Sequence, residues 1–173
     1  MKATSLLESQ HRKVEALFKK LKGARSEPRA VLEELASSLA AHMAIEQDIF
    51  YPRVKDVESD LINESYEEHA VAELSLKRLL MTDPDETEFQ ARVTTLMELI
   101  QHHVEEEEKE LFPKVEKALD EAELAQLGKA MKARFDEVFA AGFAAAVPKG
   151  MAKTSSDVSK KEVSRRKPTE SAA

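Results

Sequence analysis

The stretch His42-Met43-Ala44-Ile45-Glu46-Gln47-Asp48-Ile49-Phe50-Tyr51-Pro52 returns sixty-one residues later as His103-Val104-Glu105-Glu106-Glu107-Glu108-Lys109-Glu110-Leu111-Phe112-Pro113. In both copies a His is followed four residues on by a Glu, then by an apolar residue, an aromatic and a Pro. Four residues is about one helical turn, so each His and its Glu share a face. His11 and His69 stand in a similar relation, fifty-eight residues apart. The chain therefore reads as two copies of a helical hairpin, each supplying a His and then His-x-x-x-Glu.

Outward from these segments the apolar residues recur in steps of three and four, the stripe of a core-facing helix. The first helix shows Leu7, His11, Val14, Phe18 and Leu21 on one seam, and the second Leu32, Leu35, Leu39, His42, Glu46 and Ile49. The third shows Ile62, Ser65, His69, Ala72, Leu76 and Leu79, and the fourth Phe89, Val93, Leu96, Ile100, His103 and Glu107. A capping box, Ser5-x-x-Glu8, predicts the start of the first helix, and Gly23 its end. The second is predicted from about Ser26, with Pro28 in its first turn, to a stop before Pro52. The third is predicted from about Asp60 to Met81. The fourth is predicted from Asp83-Pro84-Asp85-Glu86 to a stop before Pro113. A fifth amphipathic segment runs from about Asp120 to Ala141, with Leu124, Leu127, Met131, Phe135 and Val138 on one face. Short connections make neighbours antiparallel. The expected fold is all-α, an up-down-up-down four-helix bundle with an additional C-terminal helix and a disordered tail.

Composition agrees. The 173 residues include no Cys, no Trp and only four Gly, and Leu, Ala, Glu and Lys abound, which suits helices. Without Cys there are no disulfides, thiolate metal sites or cysteine nucleophiles. The opening MKATSLLESQHRK turns polar after Leu7, too early for a signal peptide, and no apolar run reaches a membrane span. A cytoplasmic location is the expectation. The net charge of -7 divides unevenly: residues 147–173 carry seven Lys or Arg against three Asp or Glu, which leaves the body near -11. So acidic a body argues against nucleic acid as a partner. The division expected is a domain over residues 1–145 and a disordered basic tail over 146–173.

Each of the four helices aims one His at the bundle centre, and two of them add a Glu. A single seam His is usually a satisfied core residue, and a single seam Glu a misread register. Four His with two matched His-x-x-x-Glu pairs are different. Buried carboxylates need a partner, imidazole suits iron, zinc or copper, and a carboxylate can bridge two ions. The metal set is therefore His11, His42, Glu46, His69, His103 and Glu107. His102 lies off the seam and reads as a surface or supporting residue.

These residues, with Phe50-Tyr51-Pro52 and Leu111-Phe112-Pro113, resemble the hemerythrin HHE cation-binding family across roughly residues 4–140. The resemblance implies a bundle holding two iron ions, oxo- or hydroxo-bridged. His11 and His42 would bind one iron, His69 and His103 the other, and Glu46 and Glu107 would bridge. Two departures from the oxygen carriers of that family stand out. Where they have a further His one turn before the third-helix ligand, this chain has Ser65. They also place an Asp one residue after the position of Glu107. Six protein ligands rather than seven leave a position open, and Tyr66, three residues before His69, is placed either to approach it or to pack in the core. The resemblance thus implies binding or sensing of O2, NO or peroxide rather than simple carriage. An enzyme turning over peroxide or NO, or oxidising Fe2+, is the alternative.

Overall fold

The repeating apolar stripes do form the helices. The structure, a computed structural model, describes residues 1–24 and 27–146. Helix α1 spans Ala3–Gly23 and α2 spans Pro28–Ile45. A π-helical turn, Glu46–Phe50, then leads into α3, Tyr51–Val54. Helix α4 spans Ser59–Leu80 and α5 spans Phe89–Glu106. A second π-helical turn, Glu107–Leu111, leads into α6, Phe112–Ala118. Helix α7 spans Glu121–Ala141 and α8 spans Phe143–Ala146. The helices α1, α2, α4 and α5 form the antiparallel bundle, each packed against the next in the order α1, α2, α4, α5 and back to α1, while α7 lies across α1 and α2. Of the expected tail, Ala146 closes α8 and residues 147–173 fall outside the described residues.

The boundaries differ from the sequence reading in four places, each for a local reason. The first helix starts at Ala3 after Lys2, with no side-chain cap, so Ser5 sits within the first turn rather than before it. Neither Pro52 nor Pro113 ends its helix. A Pro lacks an N–H and its ring crowds the carbonyl four residues back. Widening the preceding turn to i→i+5 bonding relieves this, and the Tyr51 and Phe112 amides donate to the carbonyls of Glu46 and Glu107. The acidic segment from Asp83 is closed by the Asp83 amide donating to Glu86 Oε1 at 2.9 Å and by the Asp83 carboxylate accepting from the Asp85 amide at 3.0 Å. It makes only a turn, however, and α5 begins at Phe89.

The seam residues of the first four predicted helices are all buried except Ile49, which is half-buried. With residues of the π-helical turns and the short helices after them, the apolar ones form two clusters. One centres on Phe18, Leu35, Leu76 and Leu96, the other on Leu7, Phe50, Tyr51 and Phe112. The His and Glu side chains lie at the boundary between the clusters, in one polar layer across the bundle.

Helix α7 is the best-capped helix. The Glu123 amide donates to Asp120 Oδ1 at 2.8 Å, and the Asp120 amide donates to Glu123 Oε2 at 3.1 Å. Asp120→Ala should cost about 1 kcal/mol of stability, read by urea denaturation. Because α7 leans on the bundle from outside, the polar layer should be undisturbed.

Candidate metal centre

Helical register alone brings six side chains to one point. His11 projects from α1, His42 from α2, His69 from α4 and His103 from α5, while Glu46 and Glu107 begin the two π-helical turns. All six are buried, and both carboxylates are fully so, at 0% exposure. The imidazoles pair across helices: His11 Nε2 lies 3.2 Å from His42 Nε2, and His69 Nε2 lies 3.0 Å from His103 Nε2. Glu46 spans the two pairs, with Oε1 3.2 Å from His42 Nε2 and Oε2 3.4 Å from His69 Nε2. Glu107 Oε2 lies 3.4 Å from His11 Nε2 and 3.7 Å from His103 Nε2.

The outer nitrogens are committed elsewhere. His11 Nδ1 donates to Glu108 at 2.7 Å, His42 Nδ1 to Gln10 at 2.8 Å, and His103 Nδ1 to Glu68 at 2.8 Å. The Gln47 amide stands 3.0 Å from His69 Nδ1; with its O and N interchanged, which leaves its shape the same, it accepts as the others do. Protons on Nδ1 leave the Nε2 lone pairs facing inward, the arrangement that supporting carboxylates and amides impose on metal-binding His.

A cation fits that centre. Both oxygens of Glu46 and Oε2 of Glu107 are buried with no hydrogen bond. A buried ion costs several kcal/mol, against a typical total stability of about 5–15 kcal/mol, so these oxygens need positive charge. Two sets of groups could supply ion sites, one made of His11, His42, Glu46 and Glu107, the other of Glu46, His69 and His103. Glu46 is common to both.

Tyr51 is the functional residue that sequence reasoning missed. Its hydroxyl donates to Glu107 Oε1 at 2.9 Å and lies 3.4 Å from His69 Nε2. Burial, then the charges of Glu107 and Glu46, push its pKa well above the ordinary range. Tyr66 takes neither role expected of it. It is 38% exposed, its hydroxyl donates to the Gln47 carbonyl at 3.2 Å, and it meets the site only through an edge contact with Tyr51. Ser65 is buried and its hydroxyl donates to the Leu61 carbonyl. His102 is on the surface, 3.7 Å from Glu68 and 3.5 Å from Glu106.

The comparisons with known proteins agree with this geometry. Residues 2–115 match the Hemerythrin HHE cation binding domain. The chain belongs to that family. A solved hemerythrin HHE cation binding domain-containing protein from Mycobacterium kansasii is 27% identical, with a TM-score of 0.73, covering 82% of this chain and 89% of that one. A protein of Nostoc sp. (strain PCC 7120 / SAG 25.82 / UTEX 2576) named a DNA nickase is 28% identical over 138 residues, 77% of this chain. The HHE chain spans only 39% of that relative's length. Among the described residues no helix is long and apolar enough to cross a membrane.

Without metal, a protonated imidazole must balance the HHE carboxylates. Burial opposes charge on His103, but Glu107, the Glu68 hydrogen bond and Glu46 outweigh it and raise its pKa to about 9. Glu46 is held well below its usual value: burial works against its charge, and His42 and His69 prevail. His42 itself is pushed down by burial. The raised His103 contributes stability fully below pH 6.5, and that is lost as pH rises through about 9. The lowered Glu46 contributes above pH 4.5 and loses its share as pH falls below that. Thermal melts of metal-free protein should therefore fall between pH 6.5 and 9. Metal-loaded protein should lack this fall, because the ion replaces the proton.

Proposed function

We propose that the chain is a non-haem di-iron protein that binds or senses O2, NO or peroxide. In this reading His11 and His42 hold one iron, His69 and His103 the other, and Glu46 and Glu107 bridge. The observation that carries it is Glu46, a fully buried carboxylate without a hydrogen bond whose two oxygens face different imidazole pairs. Two bound iron ions would supply redox chemistry and coordination positions for a small ligand. Iron, rather than another metal suited to imidazole and carboxylate, is the reading favoured by the family. The HHE domain is taken as residues 1–145.

The chain's own residues make the centre uneven. Positions related by the internal repeat are Ser65 and Leu7, and Tyr51 and Phe112. Phe112 stacks on His11 with ring centroids 6.0 Å apart, while Tyr51 sets a hydroxyl against His69 and Glu107. Thus the His69 side has a proton donor and the His11 side an apolar ring. A ligand able to accept a hydrogen bond is better served on the His69 side. Turnover of peroxide or NO, or oxidation of Fe2+, is the second reading, and the Tyr51 hydroxyl favours it by holding a proton at the site. DNA nicking is not carried over from the Nostoc relative, given the share of its length matched and the acidic body of this chain.

Aerobically purified protein should hold two iron per chain and show oxo-bridge charge-transfer absorption. Colourless protein carrying stoichiometric zinc would defeat the iron assignment. His42→Ala and Glu46→Ala should each lose metal, and Gln10→Ala should weaken metal binding roughly 10–100-fold by freeing the His42 ring. Anaerobic reduction followed by titration with O2, NO and H2O2 separates the two readings. A stable adduct supports binding, and repeated consumption supports turnover.

A further inference from the structure

The residues that hold the imidazoles are not equivalent in the two halves of the repeat. Gln10 and Glu68 occupy matching positions, one residue before His11 and His69. Gln10 holds His42 Nδ1 and Glu68 holds His103 Nδ1, both at 2.8 Å. A neutral amide therefore suffices to fix the ring on one side, while the other side has a carboxylate with an oxygen to spare. The neighbouring positions differ as well. His102 and Glu106 correspond in the repeat to Ala41 and Ile45. Helix α7 lies against α2, and Ala41 and Ile45 are fully buried. The His102 side chain is 64% exposed.

His102-x-x-x-Glu106 has the spacing of His103-x-x-x-Glu107, displaced by one residue and so turned by about 100° around α5. Glu68 likewise stands one residue before His69. The outer group thus repeats the inner group of His69, His103 and Glu107 one step round both helices. His102 Nε2 lies 3.7 Å from Glu68 Oε1 and 3.5 Å from Glu106 Oε1. One ligand atom from each of the three residues lies within 4.8 Å of the others. Bonds of about 2.1 Å to a tetrahedral ion separate its ligand atoms by roughly 3.4 Å, and both His102 contacts are close to that spacing. Glu68 is already fixed, because its other oxygen accepts from His103. An imidazolium at His102 would not complete this group. It would serve one oxygen of each carboxylate, and Glu106 Oε2 is buried without a hydrogen bond. Glu64 and Glu110 add further negative charge around Glu106. A cation chelated by both Glu106 oxygens answers both demands.

We propose that Glu68, His102 and Glu106 form a further cation site, open to solvent, for a divalent transition ion such as Zn2+. One imidazole and two carboxylates suit an ion of this kind, and three protein groups leave coordination positions for water. The site shares no ligand with the buried centre. It depends neither on which metal that centre holds nor on the ligand-binding reading above.

The test is equilibrium dialysis of the metal-loaded full-length chain against Zn2+ at neutral pH, with iron and zinc counted separately by mass spectrometry. The parent chain should take up one zinc beyond the ions of the buried centre. His102→Ala and Glu106→Gln should each hold one zinc fewer than the parent and keep the metal of the buried centre. No additional zinc, or the same additional zinc in parent and variants, would overturn the site. Direct ligation has its own signature in a chain whose buried centre is filled with diamagnetic zinc. Further Zn2+ should shift the nitrogen resonance of His102 Nε2, the atom that faces both carboxylates. An unmoved Nε2 resonance would place the ion elsewhere and overturn the assignment. If the purified chain holds zinc in its buried centre instead of iron, the loss of one ion in His102→Ala still upholds this site, while the di-iron reading falls.

Discussion

Two carboxylates buried to 0% exposure among four imidazoles are the constraint from which the rest of the molecule follows. Their charge cannot be left uncompensated, since a buried ion deprived of its partner costs several kcal/mol, a large part of a domain's stability. Compensation needs cations held where both carboxylates reach them. That requires the four rings to keep fixed orientations, and the rings keep them through Glu108, Gln10, Gln47 and Glu68 on their outer nitrogens. The Glu108 carboxylate is itself paired with Arg12. The ring of hydrogen-bonded partners is thus as much part of the centre as the inward-facing atoms, and the two apolar clusters on either side hold its helices in register.

The π-helical turns solve a problem that a regular helix would not. A Pro six residues after the Glu would clash with the carbonyl four residues before it in a straight helix. Admitting one residue more per turn removes that clash and rotates everything beyond it. Without the rotation the seam would continue through Ile49. With it, Phe50 and Tyr51 turn inward and Ile49 is half-buried. On the other hairpin the same turn brings Leu111 and Phe112 inward. The motif of Glu, aromatic and Pro is therefore one device: the Pro forces the wide turn, and the wide turn delivers the aromatic side chain to the face that carries the Glu.

This explains which features were legible beforehand. The bundle and the convergence of His11, His42, Glu46, His69, His103 and Glu107 follow from a 3.6-residue period, and every one of those side chains is buried together. The start of the fifth segment near Asp120 was equally plain, and the structure adds the cap in which Asp120 and Glu123 satisfy each other locally. Tyr51 was not legible, because a constant period places it off the seam. Only the extra residue of the π turn puts its hydroxyl against Glu107. Tyr66 looked well placed by counting back from His69, yet α4 is regular there, and its register points Tyr66 to solvent while Ser65 faces in. The helix starts at Ala3 and Phe89 depended on packing that a cap motif does not report.

The internal repeat also shows how near-symmetry can be broken without disturbing a metal-binding frame. Both halves keep the His, the His-x-x-x-Glu and the Pro, so both keep the backbone course. What differs is what fills the space beside each ring pair: Leu7 and Phe112 on one side, Ser65 and Tyr51 on the other. A phenyl ring stacked on His11 excludes water and offers no proton. A phenol in the same structural place offers a proton and an oxygen, and its raised pKa keeps the proton on it in the metal-free chain. Two chemically distinct halves therefore arise from two differences between the repeats, a phenol for a phenyl ring at Tyr51 and Phe112 and a small hydroxyl for an isobutyl group at Ser65 and Leu7. Under the function proposed above, a small ligand in such a centre would find a hydrogen-bond donor at one end and an apolar ring at the other, which favours a single orientation.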